Sequence, residues 1–395
     1  MNLLKPLLLI AALTLLTNHG FAAPFSFLAY GDNRSGGAPD CSANAIHIGL
    51  INRMVNENAP FVFNLGDMVT GYSNTTNWVQ NGACTGAANY GSLKNMITPL
   101  QNKTPPPGVP ASFIPVIGNH DDNWGDSPPW YPDAYNNGYC DVFDARALIP
   151  NHTQAPWFGT GKPKYTDANF YSLACSVTDK SVYPRYMYFS FDYQNSHFIV
   201  MRLNNEYDDL EACNNCNNKK NYDDYYNIHQ LDWLRTDLAA TAAKPSIQNI
   251  FVFLHVPIFT TSDGHTGSAS ATALSREFSK YKVKIVFSSH NHVYERTVPI
   301  LAPATSAAVR DDANGTVYVV SGGGGSDPHG FRAAQWFDAK RTVENHYVRV
   351  DVDGTTVSVR VINKTGAVID SFVMAGDGSV PPLPPPPLPR VRDSP

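Results

Sequence analysis

Short apolar runs alternate with helical patterns along most of the chain, and the apolar runs end abruptly at polar residues. The runs predict β-strands over Phe25–Tyr30, Phe61–Leu65, Phe113–Ile117, Tyr186–Asp192, Ser196–Leu203, Ile250–His255, Val283–Ser288 and Thr316–Val320. Apolar residues at helical spacing predict helices over Ala43–Asn56, Ser92–Pro99, Ile228–Ala240 and Ala271–Tyr281. From His346 to Met374 the pattern alternates as in antiparallel strands, with a hairpin turn at Asp353-Gly354. The pattern therefore predicts an α/β fold that ends in antiparallel strands.

Three segments depart from this pattern. Apart from the predicted helix, residues 70–110 are rich in Gly, Asn and Pro, as are residues 122–186, so we expect loops and insertions there. Residues 379–395 are rich in proline, which favours an extended chain that joins no core. This tail is either a spacer or a PxxP segment that docks weakly on a partner. We expect one folded domain over residues 23–378.

The first 22 residues have the organisation of a secretory signal peptide. Lys5 precedes an apolar run over Leu7–Leu16, and Gly20-Phe21-Ala22 places small residues before a cleavage after Ala22. The run is shorter than the roughly 20 residues that cross a bilayer as a helix; the alternative is an uncleaved anchor helix. No later stretch is apolar enough for a membrane span. The sequence therefore predicts a secreted or periplasmic protein.

The composition allows a large core and argues against one class of ligand. Of the 395 residues, 43% are hydrophobic, and the formal net charge is −5. General nucleic-acid binding needs a basic face, so we expect no nucleic-acid partner. An anionic substrate is compatible with this charge if bound cations provide a local positive field.

Six cysteines lie beyond the predicted cleavage site: Cys41, Cys84, Cys140, Cys175, Cys213 and Cys216. An even number of cysteines in an exported chain favours disulfides, and six allow up to three. Cys213 and Cys216 form a CxxC motif without a second CxxC and without a strand-to-helix setting. We therefore expect a local, loop-closing bridge between them.

Metal-type residues follow five of the apolar runs. The blocks are Tyr30-Gly31-Asp32-Asn33-Arg34, Leu65-Gly66-Asp67, Gly118-Asn119-His120-Asp121, Leu254-His255-Val256-Pro257 and His290-Asn291-His292. Aspartate oxygens can bridge two cations, and neutral histidine nitrogens suit zinc, iron or manganese. The order Asp, Asp, Asn-His, His and His-x-His indicates a pocket for two adjacent divalent cations. Such a pair suits the cleavage of phosphate esters, because a hydroxide held between the ions can attack phosphorus in line.

In these five blocks the chain resembles the calcineurin-like metallophosphoesterase superfamily, whose motifs are GD, GD, GNH[DE], H and GHxH. The resemblance covers most of residues 25–375. The run from His290 to Arg296 resembles the purple acid phosphatase branch, as do the glycine-rich turn Gly322–Gly325 and the closing antiparallel strands. The resemblance implies a four-layer α/β/β/α sandwich with a dinuclear metal site at the strand ends, in a catalytic domain over residues 23–378.

The resemblance also implies a role for each site residue. Six residues would hold the two ions: Asp32 and His292 one ion, Asn119, His255 and His290 the other, with Asp67 bridging. His120 would be the catalytic histidine, which contacts phosphate or protonates the leaving oxygen. His265 stands where the purple acid phosphatase branch often has a phosphate-contacting histidine, and is otherwise an ordinary loop residue. The ions would be divalent, with the choice among Fe, Zn, Mn, Mg and Ca left open.

Three positions depart from the family pattern. Arg34 stands where the first motif usually has His or Gly; a permanent cation cannot ligate a metal, so it either clamps phosphate or pairs with a carboxylate. Thr70 stands where purple acid phosphatases have a tyrosine ligand, which argues against a purple Fe(III) centre and favours a divalent pair. Ser289 replaces the usual glycine of the last motif, a change that we expect to be minor.

The leading hypothesis is an exported, metal-dependent phosphomonoesterase similar to acid phosphatases, with a small phosphate ester as substrate. A phosphodiesterase for nucleotides or phospholipid headgroups is the alternative among enzymes, since residues 70–110 and 122–186 could line a larger cleft. A third hypothesis is a surface protein with a catalytically dead domain and a docking tail. It is weakened because no ligand position in the five blocks is lost.

Overall fold

The computed structural model describes residues 22–34, 41–69, 92–121, 188–203 and 222–374. The strands in these ranges are β1 (Phe25–Tyr30), β2 (Val62–Asn64), β3 (Phe113–Pro115), β4 (Phe189–Tyr193), β5 (Ser196–Val200), β6 (Asn249–Phe253), β7 (Ile285–Ser288), β8 (Tyr294–Thr297), β9 (Ile300–Leu301), β10 (Val309–Arg310), β11 (Val317–Ser321), β12 (Asp338–Thr342), β13 (His346–Asp353), β14 (Thr356–Asn363) and β15 (Val368–Met374). The helices are α1 (Cys41–Asn56), α2 (Leu93–Gln101), α3 (Tyr222–Ala242) and α4 (Ala271–Lys280).

Within these ranges the strands form two large sheets and one short pair, β9 with β10. The first sheet has the order β15-β14-β13-β1-β2-β3, and the second has the order β12-β8-β11-β7-β6-β5-β4. Strands β1, β2 and β3 are parallel neighbours, and so are β5, β6, β7 and β11. Parallel neighbours end at the same edge of a sheet, so the residues that follow them collect along one rim.

Phenylalanine rings fill the space between the two sheets. Along β1, Phe27 belongs to this central layer, whereas Leu28 packs on the opposite face of the strand. Phe63 of the first sheet stacks on Phe253 of the second, with ring centroids 3.6 Å apart. Because these strands are buried on both faces, they appear in the sequence as continuous apolar runs rather than as alternating ones.

The helices cover the outer faces of the two sheets. Leu50 of α1 and Ile97 of α2 pack in the same buried cluster as Leu28 of the first sheet. Leu234 of α3 and Leu274 of α4 pack in a third cluster with apolar residues of the second sheet. The order helix, sheet, sheet, helix confirms the predicted four-layer α/β/β/α sandwich.

Each helix and strand that the pattern predicts in the described ranges is present, with ends that differ by a few residues. The largest difference is α3, which begins at Tyr222 rather than at Ile228. The pattern did not predict β8, β9, β10 and β12. Strands β8 and β12 have the short, charged sequences YERT and DAKRT. β8 becomes a strand by pairing with β11 and β12, and β12 becomes one by pairing with β8.

Several expectations concern segments outside the described residues. They include the signal peptide, the disulfides, position 70, the segment 122–186 and the proline-rich tail. These expectations stay predictions. Among the described helices, none combines the length and apolar composition that crossing a membrane requires.

A charge cluster around the buried side chains of His197 and Asp237 joins strands β4 and β5 to α3. The ring of His197, 1% exposed, lies between two carboxylates: Nδ1 is 2.5 Å from Asp192 Oδ1, and Nε2 is 2.8 Å from Asp237 Oδ2. Lys244 Nζ lies 2.6 Å from Asp192 Oδ2, and Ser190 Oγ donates to Asp237 Oδ1. Burial opposes a charge on His197, but its bonds to Asp192 and Asp237 and their negative charges outweigh burial and raise its pKa. The imidazolium is the form that donates to both carboxylates.

We expect His197→Phe to lower the free energy of unfolding by about 3 kcal/mol at pH 6, because Asp237 stays buried without its cation. Folding raises the pKa of His197, so its contribution is fully present below the unfolded pKa of about 6.5. That contribution is lost as the pH rises through the folded pKa. The gap between variant and wild type should therefore shrink from pH 6 to pH 9 in urea unfolding. A gap that widens with pH would contradict the prediction.

Candidate metal centre

Left-handed turns begin directly after the strands that carry the site. Asp32, Arg34, Asp67 and His290 have φ angles of 57°, 38°, 52° and 67°. Non-glycine residues rarely occupy this region, and such strain persists only where the surrounding structure holds it, often at functional sites. The turns bring the other three residues close to the Asp67 side chain.

Main-chain hydrogen bonds join the first two turns. Asp32 N donates to Gly66 O and Arg34 N donates to Asp67 O, each at 2.9 Å. Gly66 has a φ of 100°, and a Cβ at this position would lie 2.7 Å from His255 Nδ1. Only glycine fits so close to a ligand-type side chain at this backbone angle.

Two groups of ligand-type side chains meet at Asp67. One group contains Asp67, His255 and His290, and the other contains Asp32, Asp67 and His292. In each group the ligand atoms lie within 4.8 Å of one another, and the side chains are buried. Asp67 belongs to both groups, which is the arrangement that a bridging carboxylate between two ions requires.

Several buried ligand atoms have no hydrogen-bond partner within the described part of the chain. They are both carboxylate oxygens of Asp32, Oδ2 of Asp67 and Nε2 of His292. A buried charged group is normally paired or coordinates a metal, because burial without a partner is costly. Burial and the negative charge of Asp67 raise the pKa of Asp32 well above its usual range. Bound cations would pair with the buried atoms and offset the repulsion between Asp32 and Asp67, so these residues fit a pair of divalent ions.

The orientation of His255 is set by a carbonyl and a hydroxyl. Nδ1 lies 2.8 Å from Leu65 O, and Ser289 Oγ donates to the same carbonyl at 2.7 Å. A carbonyl only accepts, so Nδ1 carries the proton and Nε2 keeps its lone pair, 3.3 Å from Asp67 Oδ1. Burial lowers the pKa of His255 to about 3, which keeps the imidazole neutral. The replacement of glycine by Ser289, which we expected to be minor, thus adds a contact that helps to orient His255.

His292 is oriented in the same way by the loop after β11. Its Nδ1 donates to Asp327 O at 2.5 Å, which leaves Nε2 3.6 Å from Asp32 Oδ1. Burial and the positive charge of Arg34 lower the pKa of His292 well below its usual value. His329 stacks on His292 with ring centroids 4.0 Å apart, and its Nδ1 accepts a hydrogen bond from His292 N. His329 was not predicted as a site residue, because no motif or local spacing relates it to a residue 37 positions away.

The third block closes the pocket from the β3 side. Asp121 accepts hydrogen bonds from Gly118 N and Met68 N at 2.9 and 2.8 Å, which ties this block to the Asp67 turn. His120 N donates to Asp67 Oδ1 at 2.9 Å, and His120 Nε2 lies 3.9 Å from Asp67 Oδ2. The His120 side chain is 19% exposed, whereas the side chains of the two ligand groups are buried. His120 therefore lies between the metal pocket and the solvent.

Arg34 adds a permanent positive charge beside Asp67. Its Nη2 lies 3.5 Å from Asp67 Oδ2, and its side chain is 20% exposed. Burial alone would raise the pKa of Asp67, but its electrostatic interactions with His255, His120 and Arg34 outweigh burial and lower the pKa below its usual range. Of the two roles that the sequence left open for Arg34, proximity to a carboxylate is present, and the phosphate clamp stays a proposal.

The remaining two site residues also lie at this pocket. Asn119 Oδ1 lies 3.0 Å from His255 Nε2, within the reach of a common ion. The ring of His265 packs on that of His290 with centroids 4.0 Å apart. The structure therefore brings all nine predicted site residues together around one centre.

Comparison with known families identifies a match over most of the chain. The family model of calcineurin-like phosphoesterases matches residues 45–294. Purple acid phosphatase 22 of Arabidopsis thaliana is 24% identical over 209 residues, which cover 49% of this chain and 42% of that protein. An uncharacterized protein of Mycobacterium tuberculosis is 24% identical over 229 residues, 54% of this chain and 35% of that protein. The chain thus spans less than half the length of these curated relatives.

A solved structure shares the fold. The purple acid phosphatase from yellow lupin (Lupinus luteus) seeds superposes with a TM-score of 0.56 at 16% identity. The superposition covers 89% of this chain and 54% of that chain. At this identity the likeness concerns the arrangement of the sheets and helices.

We expect the protein to bind two divalent ions per chain, with Asp67→Asn losing most of both because Asp67 belongs to both ligand groups. His292→Ala should lose about one ion, since His292 belongs to one group only. Metal analysis after equilibration with Zn²⁺ or Mn²⁺ measures this. Asp312→Asn, a change in an exposed surface pair, is the control. Full occupancy in Asp67→Asn would show that Asp67 is not shared.

Proposed function

The chain belongs to the calcineurin-like phosphoesterase family, and from this membership we propose that it is an exported, metal-dependent phosphomonoesterase acting on small organic phosphates. The position of Asp67 carries the proposal, because one buried carboxylate completes two ligand groups whose members include atoms without a hydrogen-bond partner among the described residues. Export is proposed from the pattern of residues 1–22. The ions are divalent and of open identity.

Two divalent ions at this centre would polarise the phosphate and supply a nucleophile from water near neutral pH. The buried rings of His255 and His292 are neutral, so they suit ligation rather than proton donation. Arg34 would hold a phosphate oxygen through its planar fork of N–H groups. His120, partly exposed beside Asp67, would protonate the leaving oxygen.

The side chains that border the centre favour a monoester. A terminal phosphate carries one more negative charge than a diester, and it therefore needs more donors. Arg34, His120 and His265 reach the border of the centre from three different segments of the chain, so their N–H groups add to what the ions can offer a phosphate. The similarity to purple acid phosphatase 22 supports the same class of substrate. Another relative is named a probable inactive purple acid phosphatase, so turnover itself is the first quantity to measure.

We expect the metal-stripped chain to hydrolyse p-nitrophenyl phosphate only after a divalent ion is restored, because the nucleophile and the phosphate both depend on the ions. Zn, Mn, Fe, Mg and Ca are added singly, and bis-p-nitrophenyl phosphate is assayed in parallel. The monoester should be the better substrate with every ion that restores activity. Turnover of the diester alone would replace this proposal with a phosphodiesterase, and no turnover with any ion would favour a binding protein.

Variants of His120 and Arg34 should separate chemistry from binding. His120→Ala should lower kcat by roughly 10²- to 10⁴-fold, because the leaving oxygen loses its proton donor. Arg34→Ala should chiefly raise KM, by about tenfold or more, if Arg34 binds phosphate equally before and during reaction. Arg310→Ala, in an exposed surface pair, is the control for loss of a charge. Near-normal kcat in His120→Ala, with metal content unchanged, would remove His120 from the reaction.

A further inference from the structure

Asn291, between His290 and His292, holds the main chain of His265. The Asn291 side chain is fully buried. Its Oδ1 accepts a hydrogen bond from His265 N at 2.8 Å, and its Nδ2 lies 3.4 Å from His265 O. One amide side chain therefore faces both main-chain polar groups of His265.

The same amide joins a second hydrogen-bond path to β8. Asn291 Nδ2 donates to Thr260 Oγ1 at 3.2 Å, and Thr260 Oγ1 donates to Glu295 Oε2 at 2.8 Å. Glu295 also accepts from Thr261 N at 2.7 Å and from Thr261 Oγ1 at 2.6 Å. Glu295 is fully buried. Residues 260–265, defined here as the His265 loop, are thus bonded at both ends to the segment that carries His290 and His292.

This bonding holds the main chain that carries the His265 ring. The ring packs on His290 with centroids 4.0 Å apart and lies 5.5 Å from the ring of His329. A loop side chain without such bonds would lose more conformational entropy whenever it contacts a substrate. Because the bonds come from the residue between two ligand-type histidines, the position of His265 depends on the same turn that forms the metal centre.

The chemistry requires an amide at position 291. The Asn291 side chain must accept from one N–H group while it donates to Thr260 Oγ1. Aspartate could still accept from His265 N but has no hydrogen to donate. Leucine has a similar volume and makes neither bond. Asn291→Asp therefore removes only the hydrogen bonds that the side chain donates, whereas Asn291→Leu also removes the one that it accepts.

We propose that Asn291 is a positioning residue that sets His265 against the metal centre for contact with the phosphate of the substrate. This inference rests on the proposed function and adds a specificity element to it. Asn291 acts through His265 and touches no reacting atom.

Hydrogen exchange tests the contact without any assay of activity. In Asn291→Leu, the amide of His265 should lose protection, and peptides covering the His265 loop should exchange at least about tenfold faster, since a buried hydrogen bond is lost. Asn291→Asp should keep the protection of the His265 amide. Asn52→Leu, an exposed position on α1, is the control and should leave this loop unchanged. Unchanged exchange in Asn291→Leu would overturn the proposal.

Binding and kinetics test the consequence for the substrate. Asn291→Leu should raise both KM and the dissociation constant of inorganic phosphate by about tenfold, with metal content unchanged. In the background of His265→Ala the same substitution should have little further effect, because the two residues act as one unit. If Asn291→Leu weakens phosphate binding as much in the His265→Ala background as in the wild type, the positioning role is overturned.

The two proposals can fail separately. If the wild type hydrolyses no phosphate ester, the proposed function fails, and calorimetric titration with inorganic phosphate still decides the role of Asn291. Weaker phosphate binding in Asn291→Leu supports that role, and equal binding overturns it.

If Asn291→Leu proves too unstable to study, Asn291→Asp and Thr260→Val replace it. Thr260→Val removes the path to Glu295 and the hydrogen bond from Ser262 N, but it leaves both contacts of Asn291 with His265, so it should disturb phosphate binding less than Asn291→Asp does.

Discussion

Two carboxylates buried side by side impose the main constraint on this molecule. Asp32 and Asp67 have no exposed surface, and within the described residues neither oxygen of Asp32 receives a hydrogen bond. Two negative charges in such a setting repel each other and have lost their water. Arg34 supplies one positive charge nearby, and the imidazoles of His255 and His292 are held neutral by burial. The arrangement therefore fits divalent cations, which would balance the negative charge and coordinate the carboxylate oxygens.

The sandwich provides the rigidity that such a centre needs. Its strands are buried between a phenylalanine-filled interior and the covering helices, so their ends have little freedom to move. The turns that follow adopt left-handed backbone angles at Asp32, Asp67 and His290. These angles cost energy, and the packed strands before them hold the chain in place. The strain of the turns is the consequence of bringing ligands from several strands to one point.

A set of supporting contacts then selects which atom of each side chain meets the centre. Leu65 O and Asp327 O bind the Nδ1 atoms of His255 and His292, so that the Nε2 atoms keep their lone pairs. Asn291 performs the corresponding task for the main chain of His265. Each support is itself buried or part of the main chain, which limits alternative orientations. Reactivity at such a centre depends on these neighbours as much as on the ligands themselves.

The amino-acid sequence by itself determined most strands and helices of the core and their class of fold, and it predicted nine site residues that the structure brings close together. It could do so because an apolar run ending at Gly-Asp or Asn-His is a local property of the chain. It could not determine β8 and β12, whose charged segments become strands only by pairing. Nor could it determine the contacts of Ser289 with a carbonyl 224 residues away, the stacking of His329 on His292 or the bonding of Asn291 to His265. Only the tertiary structure decided these, because hydrogen bonds and ring contacts depend on the direction of each side chain, which is set when the two sheets pack and their strand ends meet.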